Sequence, residues 1–276
     1  MKRLIILFLL LITVVTLSAC SNNSSTVITT EAPLRVGMDL RYPPFETVDL
    51  TNTPEGISVD VAFAFGEYIG REVVIVNTNF ASLIPALNSG DIDIIIASMS
   101  ITDERKISVD FSDPYFYFKI ISLVNKDFAE ANSLTEDSTK EDILAISSAR
   151  FVGLASQVSA TIPESYGKTV IEATDLGTAV EAVSQGTSDI LLMSANPVVD
   201  GYKANPNTTL VVWDSFVSSP IGMAVKKGNT ELLTLANNFI ATFNDDGGLY
   251  ETLANTWDSV LIENLGRYGL EFYITE

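Results

Sequence analysis

The chain has no histidine, and its single cysteine is Cys20. Together these two absences remove a long list of chemistries. A Ser-His-Asp triad, a histidine general base and a zinc site of histidine and cysteine are excluded, and one cysteine cannot build a disulfide framework. Basic residues are scarce as well: 16 Lys and Arg stand against 35 Asp and Glu, for a net charge of -19. A surface so acidic repels a phosphate backbone, so nucleic acid is not an expected partner. Nor are the acids spaced as a calcium-caging loop, and no cofactor is expected. Long apolar runs occur only at the N-terminus, which leaves the rest of the chain to pack as ordinary domains. With 276 residues there is length for two of them, each with its own core.

The N-terminal run has the layout of a secretory leader. Lys2 and Arg3 precede an apolar stretch from Leu4 to Val15, which is closed by Leu17-Ser18-Ala19-Cys20. That tetrapeptide resembles the bacterial lipobox, in which the cysteine becomes the lipidated first residue; the plain alternative is a secretory signal with a chance cysteine. On the lipobox reading, residues 1–19 are removed and residues 20–33 form a lipidated Cys20 followed by a polar tether. The tether reaches at most roughly 40 Å when extended. Two acyl chains on Cys20 would anchor the protein stably, on the outer face of the cytoplasmic membrane of a Gram-positive bacterium. Losing Lys2 and Arg3 with the leader takes the charge to -21.

From Leu34 onward short apolar runs alternate with helix-like patterns. Leu34 to Met38, Val73 to Val76 and Ile92 to Ala97 read as strands. Between them Ser58 opens a helix that Gly70 ends, and Ser82 to Asn88 forms another, closed by Gly90. This β-α-β-α-β order predicts a largely parallel sheet with helices on its faces. A second set follows: strands at Phe151 to Leu154, Val170-Ile171 and Ile190 to Met193, helices near Ser159 to Tyr166 and Asp175 to Ser184. Asp175 is the expected cap of the last helix and Gly186 its stop. Two extended stretches, Phe118 to Lys126 and Ile221 to Lys227, predict that the chain leaves one lobe and later returns. Lobe 1 is then 34–122 plus 223–276, lobe 2 is 123–222, and a helical tail from Asn229 to Tyr250 breaks at Gly247-Gly248. A cleft between two lobes joined by two strands is a place for a small ligand.

The residues richest in implied chemistry run from Asp91 to Tyr115. A continuous apolar strand ends in Ala97-Ser98-Met-Ser100, and Thr102 then caps a helix with Arg105 near its third position. A helix start disfavours a cation, so an arginine there has either an anion to grip through two parallel hydrogen bonds or a surface pairing with Asp103 or Glu104.

Several motifs lie in this order: Leu34-Arg-Val-Gly-Met-Asp39 with Tyr42-Pro-Pro-Phe45, Gly56-Ile-Ser-Val-Asp60, Leu83-Ile-Pro-Ala-Leu87-Asn-Ser-Gly-Asp91-Ile-Asp93, and Ser100-Ile-Thr-Asp-Glu-Arg105 with Phe111-Ser-Asp-Pro-Tyr115. Together they resemble the extracellular solute-binding proteins of family 3, the amino-acid receptors of ABC importers. The resemblance runs from Leu34 to the last helices. It implies an α/β, two-lobed, type II periplasmic-binding-protein fold, each lobe a mostly parallel sheet flanked by helices, and binding without catalysis. Partners implied are a polar amino acid or related small carboxylate, the transmembrane subunits of a permease and, through Cys20, the membrane; the protein is expected to be a monomer.

Residue by residue, the resemblance assigns the ligand carboxylate to Arg105, with Ser100 assisting. Ala97 and Ser98 would give mainly backbone contacts, Ser98 to the α-amino group. Asp39 would face the ligand side chain or ammonium, and Tyr42 and Phe80 would wall the pocket or, alternatively, pack in the core. Phe45, Phe63, Phe65 and Phe111 are assigned to the core. Across the cleft the chain departs from the family pattern. Gln157-Val158 stands where the family carries Gly-Thr or Gly-Ser, leaving the Val158 backbone N–H and the Ser159 hydroxyl to serve the anion. Ser194 stands where an acid usually meets the amine. Two other readings are a prephenate or arogenate dehydratase-like enzyme, with Asp39 or Glu46 as its acid, and a ligand-sensing module.

Overall fold

The computed structural model describes residues 32–266 and 268–276. Cys20, the leader and the tether up to Glu31 therefore lie outside the described residues. The described chain opens with β1 (Leu34–Met38), then a small hairpin of β2 (Thr47–Val48) and β3 (Pro54–Glu55). Helix α1 (Ile57–Ile69) follows and stops at Gly70, whose φ of 72° suits the left-handed cap. Its start corrects one expectation. Gly56, not Ser58, is the N-cap: at φ 128° a Cβ there would lie 2.3 Å from the Phe45 carbonyl oxygen, so only glycine fits. Ser58 is instead the buried second residue of the helix.

The chain continues through β4 (Val73–Asn77), a 3-10 turn at Phe80–Ser82, α2 (Leu83–Ser89) and β5 (Ile94–Ile95). Six residues, Ile92 to Ala97, were expected in that last strand, but only two pair with β1. The rest of the run is almost wholly buried yet leaves the ladder for an irregular loop. Then come α3 (Asp103–Ser108), β6 (Val109–Phe111) and the long strand β7 (Phe116–Asn125). Beyond it stand α4 (Lys126–Ala131), α5 (Lys140–Ala145), β8 (Phe151–Leu154), α6 (Val158–Ser165), β9 (Val170–Ala173), α7 (Leu176–Ser184), β10 (Ile190–Ser194) and α8 (Ala195–Ala204). Asp175 caps α7 as its spacing foretold, accepting a hydrogen bond from Thr178 N at 2.8 Å. The chain ends with β11 (Thr209–Ile221), β12 (Ala224–Lys226), α9 (Thr230–Ile240), α10 (Leu249–Leu265) and α11 (Glu271–Ile274). The extended stretch expected from Ile221 to Lys227 is thus divided. β11 pairs with β7 up to Ile221, and after Gly222-Met223 the chain joins β5 in the other sheet.

The strands form two five-stranded sheets, ordered β4-β1-β5-β12-β6 and β9-β8-β10-β7-β11. In each, three strands are parallel and linked by helices, one runs antiparallel beside the third, and an edge strand closes the row. Four of five strands therefore share a direction in each sheet, as right-handed βαβ crossovers require. The first sheet draws its strands from both sides of the second, whose strands all lie between Phe116 and Ile221.

The likeness extends to one ion pair. Arg35, the second residue of β1, grips Asp93 through Nη2 at 2.6 Å and Nε at 3.2 Å, while its backbone N–H donates to the same carboxylate. Arg150 does the same to Asp189, with Nη2 at 2.5 Å and Nε at 3.0 Å. Both arginines also donate to carbonyls of the preceding turn, at Gly90 and Asp91 or at Gly186 and Thr187. In both sheets this clasp ties the first strand to the third at one register.

Phe45 and Phe65 are fully buried and Phe111 packs against the core. Phe63 departs from its core assignment and is 49% exposed. Buried positions of α1 include Val59, Val61, Ala62, Phe65 and Gly66, and Phe63 falls off that stripe.

Candidate functional site

A cavity of about 780 Å³ lies between the loops at the ends of the two sheets' strands. This is where an open α/β sheet places its ligands, because strand ends leave backbone groups free and irregular loops can carry chemistry. Of the residues singled out in the sequence, Asp39, Tyr42, Phe80, Ala97, Ser98, Ser100, Arg105, Val158 and Ser194 all line it. Ser159 does not. It is fully buried, and its hydroxyl accepts a hydrogen bond from Leu154 N at 2.9 Å. Position 159 is the second residue of α6 and points back toward β8, where Gly153 lies so close that a Cβ would meet Ala160 N at 2.7 Å.

Arg105 is the site's central cation. Thr102 caps α3 and accepts from Arg105 N at 3.3 Å, which makes Arg105 the third helical residue, as its spacing implied. Its side chain does not turn out to Asp103 or Glu104. Nη1 donates to the Ser100 carbonyl at 2.8 Å and Nη2 to the Ser156 carbonyl at 2.7 Å, and the guanidinium lies 5.2 Å from the Phe80 ring centroid. Ser156 belongs to the loop after β8, so Arg105 is held from both sheets' loops. Burial lowers its pKa to about 10. Among the described residues no carboxylate pairs with it. A largely buried cation held only by neutral carbonyls is poised for an incoming anion.

The neighbouring loop supplies hydroxyls. Ser98 takes a φ of 50°, unusual for a residue with a side chain. Its Oγ donates to Glu46 Oε2 at 2.9 Å and lies 3.4 Å from Ser58 Oγ. Ser100 Oγ accepts from Ser219 Oγ at 2.8 Å, which links the loop to β11. Asp39 lines the cavity, but its carboxylate is taken by Arg41, with Nε at 2.7 Å and Nη2 at 2.8 Å, and by Phe80 N at 2.9 Å. From the other sheet, Ser194 ends β10, and its Oγ is hydrogen-bonded to the Tyr42 hydroxyl. Burial raises the Tyr42 pKa and so keeps that phenol neutral.

Glu46 is the wall residue that sequence reasoning weighed least, only as an acid for the dehydratase reading. It is 2% exposed. Burial raises its pKa to about 8, against the opposing hydrogen bonds of Ser58 and Ser98. The signal available in the sequence was its place directly after Tyr42-Pro-Pro-Phe45, whose Pro43–Pro44 peptide is cis.

Comparison with known proteins identifies the family. Residues 34–259 match the bacterial extracellular solute-binding proteins, family 3, and the chain belongs to that family. The L-cystine-binding protein TcyJ of Escherichia coli (strain K12) is 29% identical over 225 residues, covering 81% of this chain and 82% of its own length. Among solved structures, an ancestral arginine-binding protein bound to glutamine gives a TM-score of 0.68 at 29% identity, over 86% of this chain and 99% of its own. The ancestral amino acid-binding protein AncCDT-1, a precursor of cyclohexadienyl dehydratase, gives 0.67 at 31%, over 80% and 94%.

Proposed function

We propose that this family-3 chain captures an amino acid in the cavity between its two sheets and hands it to the membrane permease of an ABC importer. The observation that carries the reading is Arg105: largely buried, held by two neutral carbonyls, and facing a cavity walled by hydroxyls and the Phe80 ring. A ligand carboxylate there gains a charge-assisted fork that costs the protein no existing ion pair. Ser100 assists it, while Phe80 and Tyr42 pack on the ligand's body. The names of the similar proteins, for cystine and arginine, support an amino acid as the ligand.

In this reading residues 34–122 with 223–276 form one lobe and residues 123–222 the other, and the cleft closes as they approach. Cys20 carries the lipid anchor, and the mature protein works as a monomer outside the cytoplasmic membrane. No helix among the described residues is long and apolar enough to cross a membrane.

A calorimetric titration with the common amino acids and cystine tests the capture. Saturable heat with at least one is expected; no heat and no thermal shift across the panel overturns it. A dehydratase reading is favoured by one observation, the buried Glu46 carboxyl, whose pKa burial raises to about 8. Phenylpyruvate release from prephenate would establish that activity, and its absence beside amino-acid binding leaves capture alone.

A further inference from the structure

The amine end of the ligand has no obvious partner across the cleft. Ser194 occupies the end of β10 and its hydroxyl is already committed to Tyr42. Of the carboxylates on the cavity wall, Asp39 is held by Arg41, Asp175 caps α7 and feels Arg41, and Asp200 feels Lys203. Glu172 is exposed. Among these carboxylates Glu46 alone is buried, with the hydroxyls of Ser58 and Ser98 bonded to it, and Ser98 lies on the loop that leads to Arg105.

The groups around it come from every neighbouring element. Asp39 follows β1, Tyr42 lies on Glu46's own loop, Ser58 is on α1, Ser98 follows β5, and Tyr115 precedes β7. Asp39 opposes a charge on Glu46, burial keeps the two phenols neutral, and none of the five is a cation. A carboxyl so placed stays neutral until a positive charge arrives.

We infer that the Glu46 carboxylate is the counter-charge of the ligand's amine: a primary ammonium group seated against Ser98, with its carboxylate on Arg105, replaces the proton that Glu46 otherwise carries. The inference rests on the capture reading and narrows it to ligands that bear both a carboxylate and a free amine. The displaced proton passes to solvent. Binding is therefore coupled to proton release, and affinity rises with pH wherever free Glu46 is protonated and bound Glu46 is ionised.

The experiment is titration of the purified chain with L-arginine, L-glutamine and L-cystine at pH 7, each in phosphate and in Tris, whose different ionisation heats reveal the protons exchanged. The expected result is release of about one proton per amino acid bound, and an association constant that rises about tenfold from pH 6 to pH 7. In Glu46→Gln the release falls to near zero and binding weakens about tenfold or more. Binding by the unaltered chain with no net proton release and a flat pH profile overturns the inference while leaving capture intact. An unchanged affinity and release in a folded Glu46→Gln also overturns it. If none of the three amino acids binds, both readings fall.

Discussion

The two sheets differ in their connections far more than in their strands. Both have one strand order, one strand reversed beside the third, and an Arg-Asp clasp at the same register. After its first strand, the first sheet runs through a long connection from Asp39 to Gly56, which is irregular but for the β2–β3 hairpin and delivers Tyr42 and Glu46. The second goes from β8 to α6 through Ala155 to Gln157 only. After the third strand the contrast repeats: Ile96 to Thr102 separate β5 from α3, whereas β10 meets α8 directly. The first sheet's side thus presents Ser98, Ser100 and Arg105, and the second's presents Ser194, Val158 and backbone. Equal scaffolds carry unequal chemistry because loops, free of ladder hydrogen bonds, can aim side chains where strands cannot. One side of the cavity holds the cation and the buried carboxyl, and the other adds apolar side chains, a hydroxyl and the carboxylates of Glu172, Asp175 and Asp200.

This contrast breaks most sharply at Arg105. Arg105→Ala should weaken amino-acid binding by at least about a hundredfold, near 3 kcal/mol, because a desolvated charge-assisted fork is lost. Val158→Ala, across the cavity, should cost less than tenfold, and calorimetric titration of both compares the two sides directly. An Arg105→Ala effect no larger than that of Val158→Ala would dissolve the asymmetry.

Comparable in size is the pH dependence of stability without ligand. The folded-state pKa of Glu46 is raised to about 8 by burial. Its contribution is therefore complete below the unfolded value and is lost as pH rises toward 8. Each unit of that interval is worth about 1.4 kcal/mol, so the whole is on the order of a few kcal/mol. Glu46→Gln should flatten the decline in melting temperature between pH 5 and pH 8.

The clasps sharpen the comparison within the scaffold. The Asp189 side chain is 5% exposed and that of Asp93 is 27% exposed. Asp189→Asn should cost about 2 kcal/mol in urea unfolding and Asp93→Asn about 1 kcal/mol, since the more buried pair leaves its partners less water to turn to. Equal losses would mean that burial does not separate the two. The smallest effect belongs to the bond between the sheets' loops. Ser194→Ala should change affinity by only a few fold, about 1 kcal/mol or less, because Tyr42 loses one neutral hydrogen bond.

Much of the fold was legible because its signals are local. Apolar runs marked β1, β4, β8 and β10, Thr102 and Asp175 marked helix starts, and Gly70, Gly90 and Gly186 marked stops, each through backbone chemistry confined to a few residues. Ser58 misled because a hydroxyl near a helix start looks like a cap, while the close approach of the Phe45 carbonyl demanded glycine two residues earlier. Phe63 misled because aromatic identity says little about facing when a helix has only one buried stripe. Ser159 was placed on the cavity wall as a stand-in for the hydroxyl the family carries beside it, yet its own hydroxyl accepts from Leu154 N.

The chain alone therefore determined the order of strands and helices, the exclusion of histidine, disulfide and cysteine-metal chemistry, and the presence of an arginine at a helix start. These follow from composition and from contacts within a turn or two. Tertiary structure decided what could depend only on distant neighbours. It set Arg105 against carbonyls from both sheets' loops, tied Ser194 to Tyr42, and left Glu46 buried among hydroxyls. Charge and protonation respond to everything within several ångströms, whatever its place in the chain, and so they become readable only once the chain has folded.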